Sequence, residues 1–188
     1  MDVVSRVLSF WYDEADPDLS VGGEPRGAWF VKDPAFDQAI RDQFAADVAA
    51  AAVGRLDRLR DSAAGCLALC ILLDQFPRNM HRGRAEAFAH DALALEIAQG
   101  AVAKGFDKEL GTHRRMFIYL PFEHSEDMEM QVRSVELIGS MEDDHYYRYA
   151  LEHYYVASRF GRFPGRNEAL GRESTAEERA FLKGFSAF

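Results

Sequence analysis

The sequence predicts an all-α protein built as an array of antiparallel helix pairs. Three observations carry this expectation. Apolar residues recur at spacings of three and four along most of the chain. Residues of helix-capping type precede those runs, and no segment sustains the period of two that marks a strand. Short connections between consecutive helices turn the chain back on itself, which implies antiparallel pairing. Residues 1–188 read as a single all-α domain, with an N-terminal helix and loop over 1–30 and the helical array over 31–188.

Val4, Val7, Leu8, Trp11 and Tyr12 share one face of a first helix, and the Asp, Pro, Gly and Ser of 13–26 read as a loop. Ala28-Trp29-Phe30 is an apolar anchor. Asp33-Pro34 reads as an N-cap followed by proline in the first turn, opening a helix over about 35–53 through Phe36, Ile40, Phe44 and Val48 that closes at Gly54. Asp61 or Ser62 caps the next helix, which runs through Leu67, Leu69, Ile71, Leu72 and Leu73 to Phe76. Its apolar character all round places it at the centre of the fold, and Pro77 is expected to turn the chain at Phe76. A helix over 84–90 or 91–104 stops at Gly105. Thr112 caps another through Met116, Phe117 and Tyr119, kinked or ended at Leu120 by Pro121. Ser125 is expected to cap the following helix, with Glu126 and Asp127 in its first turn and Met128, Val132, Val135 and Ile138 inward. Asp143 or Asp144 starts a tyrosine-rich helix to about Phe160. Thr175-Ala176-Glu177-Glu178 has capping-box spacing for a last helix towards Lys183.

A chain of 188 residues, 48% hydrophobic and 28% charged, is ordinary for a globular protein. Its net charge of -9 argues against a broad nucleic-acid surface, which needs a concentrated positive field. Cys66 and Cys70 sit one turn apart in an apolar run, a poor spacing for a disulfide within a helix and an incomplete zinc site, so they read as small buried hydrophobes. No signal peptide is visible, and the apolar run 63–73 is too short to span a bilayer. These features together predict a cytoplasmic protein with no membrane partner, no cofactor and no metal.

Three turns concentrate the chemistry-bearing residues. The first, Asp74 to Arg82, offers Arg78, Asn79, His81 and Arg82 as donors; arginine forks suit carboxylate or other bidentate oxygens, while caps and ion pairs explain the same residues structurally. The second, Glu123-His124-Ser125-Glu126-Asp127, sets a carboxylate beside an imidazole, apt for acid–base work with Asp74. Without a His-x-x-x-His or Glu-x-x-His spacing, a metal site would have to be assembled from distant segments. The third, Arg159-Phe160-Gly161-Arg162-Phe163-Pro164-Gly165-Arg166-Asn167, alternates arginine with aromatics. That pattern suits a base, a phosphate or internal salt bridges to the acidic stretch 123–144. His153 reads as a satisfied structural histidine. Phe163-Pro164-Gly165-Arg166-Asn167 echoes Phe76-Pro77-Arg78-Asn79, as in a decayed repeat of helical hairpins.

Several stretches resemble the bacterial DUF924 family, whose function is unknown and whose fold is tetratricopeptide-like. They are 7–12, Trp29 to Asp37, Leu72 to Gly83, Tyr119 to Asp127, and His153 to Asn167, so the resemblance runs nearly end to end. It implies a tetratricopeptide-like array. Similar sequences carry His where this chain has Gly165, so any role of that His in the family is missing here.

Two functional readings follow. In the first, the array is a binding protein whose groove, lined by Arg78, Asn79, Arg82, Arg159, Arg162, Arg166 and Asn167, accepts an acidic small molecule or the carboxylate of a peptide or protein partner. In the second, it is a hydrolase in which Glu123 or His124 is the base, Asp74 orients it, and the arginines hold an anionic substrate. Exposed apolar surface leaves a homodimer open.

Overall fold

The computed structural model describes residues 1–14, 26–29 and 31–184. Most of the 13–26 loop and Phe30 of the apolar anchor lie outside the described residues. Among the described residues the secondary structure is entirely helical. None of the helices is long and apolar enough to cross a membrane.

α1 (Val3–Tyr12) begins at Asp2, whose carboxylate accepts from the Ser5 N–H at 2.9 Å. α2 (Pro34–Ala52) begins at Asp33, which accepts from the Ala35 and Phe36 N–H groups, with proline in its first turn. Ser62 caps α3 (Ala63–Cys70). Gly65 in that first turn faces the Leu59 carbonyl so closely that a Cβ there would lie 2.0 Å from the oxygen.

The chain does not turn at Phe76. Ile71–Gln75 forms one π-helical turn in which the Phe76 N–H reaches the Ile71 carbonyl, and α4 (Phe76–Met80) continues the rod. Proline in a continuous α-helix lacks a donor and its ring strikes the carbonyl four residues earlier; the widened turn just upstream of Pro77 accommodates both defects. α5 (Asp91–Lys104) ends at Gly105, whose φ of 75° is the left-handed conformation that glycine adopts without strain.

α6 (Thr112–Glu123) continues past Pro121 instead of ending at Leu120, and its N-cap is Gly111, not Thr112. α7 (Met128–Gly139) is capped by Asp127, whose carboxylate accepts from the Glu129 and Met130 N–H groups, instead of by Ser125. Its buried face is Gln131, Ser134, Leu137 and Ile138, and Val132 is exposed. α8 (Asp144–Phe160) is capped by Asp143. α9 (Ala176–Leu182) has the expected capping box between Thr175 and Glu178.

α3 is the packing centre, touching α1, α5 and α6, while α6, α7 and α8 pack in sequence order. Trp11 is fully buried, its ring 5.4 Å from Phe117, 5.7 Å from Phe76 and 6.0 Å from both Trp29 and Phe36. Cys66 and Cys70 are buried free thiols. A smaller apolar cluster, Val156, Ala157 and Phe163 with Phe160 and Phe181, joins the end of α8 to α9.

Ion pairs bind this last part to the rest. Arg172 grips Glu126 at 2.7 and 2.9 Å, and Arg162 grips Glu178 at 2.7 and 2.9 Å. The Arg162 hydrogen bonds hold the Glu178 carboxyl down at about 2, from an ordinary value of 4.5. A carboxylate whose folded value is depressed stabilises the fold above its unfolded value and loses that contribution as pH falls towards the folded value. Thermal midpoints are therefore expected to drop between about pH 4.5 and pH 2. Arg162→Ala should lower the midpoint at neutral pH and flatten that drop; parallel melting-versus-pH curves for the two proteins would show that the pair contributes nothing.

Candidate functional site

The π turn directs a carboxylate inward. Asp74 is buried, and its Oδ1 lies 2.6 Å from His124 Nδ1 and 3.0 Å from Arg78 Nη1. Gln75 Nε2 donates to its other oxygen. Burial opposes ionisation of Asp74, but Arg78 and His124 outweigh it and hold the carboxyl well below the usual range. An ionised carboxylate only accepts, so His124 donates from Nδ1 and Nε2 is the basic nitrogen of its ring. Burial and then Arg78 push the His124 imidazole below its ordinary value.

Glu123 closes α6 beside His124 and is 4% exposed. Burial first, then the charges of Asp74 and Glu152, push its carboxyl up to about 8. From α8, His153 brings Nδ1 to 3.2 Å from Glu123 Oε1 and 2.9 Å from the Tyr149 carbonyl. Burial, reinforced by His124, pushes His153 down to about 3. Glu123, His124 and His153 each offer one ligand-type atom within 4.8 Å of the others.

Two arginines far apart in the sequence meet on one acid. Arg78 holds Asp91, the first residue of α5, through two bonds of 2.8 and 2.9 Å, and Arg166 Nη1 approaches the same carboxylate at 3.3 Å. The Arg166 guanidinium lies 4.8 Å from the Phe88 ring and 4.6 Å from the Phe163 ring. Burial, with Arg78 adding repulsion, pushes Arg166 down to about 10.

These groups border a cavity of about 820 Å³. Its apolar wall is Trp29, Phe88, Met116, Leu120 and Ile138; its polar wall is Arg78, Arg166, Glu123, His124 and His153, with Tyr146, Tyr149 and Lys32 also lining it. This combination of size, apolar lining and a few converging polar groups is typical of small-molecule sites.

Residues 7–185 match the family model described as a bacterial protein of unknown function, DUF924. The chain belongs to the DUF924 family. A solved structure of a protein of unknown function from Agrobacterium tumefaciens, ATU0120, is similar to it with a TM-score of 0.87 and 40% identity. That similarity covers 97% of this chain and 98% of the other. No curated protein matches.

In this DUF924 protein, Arg78, Glu123, His124 and Arg166 come together at the polar wall, with buried Asp74 behind them bonded to His124 and Arg78. Asn79 and Arg82 stand at the cavity too, but both are engaged by Asp37 from α2, Arg82 through bonds of 2.6 and 2.9 Å. Arg159, Arg162 and Asn167 lie elsewhere. Arg159 pairs with exposed Glu177, Arg162 with Glu178, and Asn167 bonds Ser174, so all three brace the start of α9. Glu126 is absorbed by Arg172 and the Phe163 N–H.

Sequence reasoning missed Asp91 as the shared acid and read His153 as merely structural. Tyr146, Tyr149 and His153 are spaced three and four apart on α8, so one stripe of that helix lines the cavity. That stripe was a usable signal; Asp91 had none.

Proposed function

We propose that this protein binds a small organic acid in the 820 Å³ cavity, its carboxylate held on the Arg166 side and its apolar body on Met116, Leu120 and Ile138. The scaffold is read as one cytoplasmic domain with a tetratricopeptide-like antiparallel array over 31–188. One observation carries the proposal: among the described residues, the one acid in direct contact with buried Arg166 is Asp91 at 3.3 Å, which Arg78 already grips with two bonds, while Glu126 and Asp74 act only from farther off. A buried guanidinium so weakly compensated gains from an incoming anion, and the stacking on Phe88 and Phe163 holds its plane in place.

The test is a thermal-shift and calorimetric panel of aromatic and aliphatic carboxylates, phosphate monoesters and the matching neutral amides. A ligand at 100 times its Kd stabilises by about 2.7 kcal/mol, a shift of roughly 5–10 °C at this size. A carboxylate hit should weaken about 10-fold or more in Arg166→Met, which keeps bulk and loses charge, and persist in Arg159→Ala. A panel with no shift, or a hit indifferent to Arg166→Met, overturns the proposal.

The 2.6 Å contact between buried Asp74 and His124 favours a second reading, hydrolysis of an ester or amide of such an acid. Asp74 would orient His124, and a water would be the nucleophile, since no Ser, Thr or Cys lines the cavity among the described residues. Turnover of such esters, lost in His124→Gln, supports it; no turnover above buffer sinks it.

A further inference from the structure

We infer that Glu123, His124 and His153 form a site for one divalent transition-metal ion of the zinc class, with its remaining coordination positions open to the cavity. This does not depend on the anion reading, because it uses different side chains and a different charge. Its basis is the convergence of one carboxylate and two imidazoles, their ligand-type atoms all within 4.8 Å. Metal–ligand bonds of about 2.0–2.2 Å in a tetrahedron place ligand atoms about 3.4 Å apart, so the three side chains need close by only an ångström or so. Two histidines and one glutamate with an open position is a donor set that borderline divalent ions favour.

The surroundings match what metal-bound histidines require. A ligating imidazole usually donates its other N–H to a carboxylate or a backbone carbonyl, which fixes tautomer and rotation. His124 donates from Nδ1 to buried Asp74 at 2.6 Å, which leaves Nε2 as its ligand atom. His153 Nδ1 lies 2.9 Å from the Tyr149 carbonyl, one turn earlier in α8, and 3.2 Å from Glu123 Oε1, so with Nδ1 held by that carbonyl the ring offers Nε2 to the ion. The two imidazoles come from different elements, the end of α6 and the middle of α8, yet their rings lie 6.1 Å apart.

The charge pattern agrees with the geometry. Asp74 and Asp91 are matched by Arg78 and Arg166, whereas no Lys or Arg pairs with Glu123 among the described residues. A cation at this point supplies the counter-charge that an ionised Glu123 would otherwise lack. All three groups border the cavity, so an ion held there meets whatever occupies it. His124 Nε2 then serves the metal instead of acting as a base, and an activated water on the ion takes that part in any hydrolysis.

The experiment titrates chelator-treated protein with Zn²⁺ by calorimetry and with Co²⁺ by visible absorption. The expected result is one equivalent bound and an intense Co²⁺ spectrum of low coordination number. Glu123→Gln and His153→Gln should each weaken Zn²⁺ by more than about 100-fold, and Asp74→Asn, which loses an outer partner, by about 10–100-fold. Arg166→Met should retain the metal, so failure of the anion reading and failure of this one are read separately. Binding that survives Glu123→Gln and His153→Gln together, or no stoichiometric binding, overturns the inference. If a variant does not fold, the wild-type Co²⁺ spectrum decides: a pale octahedral spectrum like that of the free ion overturns it.

Discussion

Asp74→Ala is expected to destabilise the protein by about 3–5 kcal/mol, the usual cost of stripping one partner from a buried charge network. Asp74 is 1% exposed and answers Arg78 Nη1 and His124 Nδ1 through one oxygen and Gln75 through the other. Alanine leaves the Arg78 charge with Asp91 alone and the His124 N–H without an acceptor, in a place water reaches poorly. Asp74→Asn keeps shape and an acceptor, so it should cost clearly less. Equilibrium urea unfolding of both variants checks this; a loss under about 1 kcal/mol for alanine would mean that Arg78 and His124 find other partners at no cost.

Trp11→Ala should also cost about 3–5 kcal/mol, through lost transfer energy and the cavity left behind. Its ring is fully buried and meets Trp29, Phe36, Phe76 and Phe117, rings from four separate places in the chain. Such a site cannot collapse easily, because filling it would require several elements to move together. At this chain length the loss corresponds to a fall of roughly 6–20 °C in Tm, readable by circular dichroism. A fall of less than about 3 °C would show that the aromatic cluster repacks around the gap.

The sequence made the helices legible because apolar periodicity and short-range capping are local. Asp33, Ser62, Asp143 and the Thr175–Glu178 box all cap where expected. Neither proline ends its helix: the local preference to break one is overridden where Phe76, Leu120 and Phe122 are buried. At Asp127, two carboxylate hydrogen bonds outcompeted the Ser125 hydroxyl, so α7 starts two residues later than expected. The site was half legible. Residues rich in donors stood out, but which arginine lies beside which acid is a long-range matter. Arg159 and Arg162 share composition with Arg166, yet only tertiary packing separates a bracing pair from one that borders a cavity.

The π turn at Ile71–Gln75 has a genetic consequence. It is one residue longer than an α-turn, and each residue of an α-helix advances about 100° around the axis. That single codon therefore sets the bearing of Asp74 and Arg78 relative to the buried stretch Ala63–Cys70 upstream. A homologue with one codon fewer there would turn the whole downstream stretch, buried Phe76 together with Arg78, by about 100°, so its rod would have to repack against α1 and α2 as its arginine met different neighbours. Gap counting across this turn thus offers a way to sort homologues by whether they preserve the bearing of the site, without reference to which residues they carry.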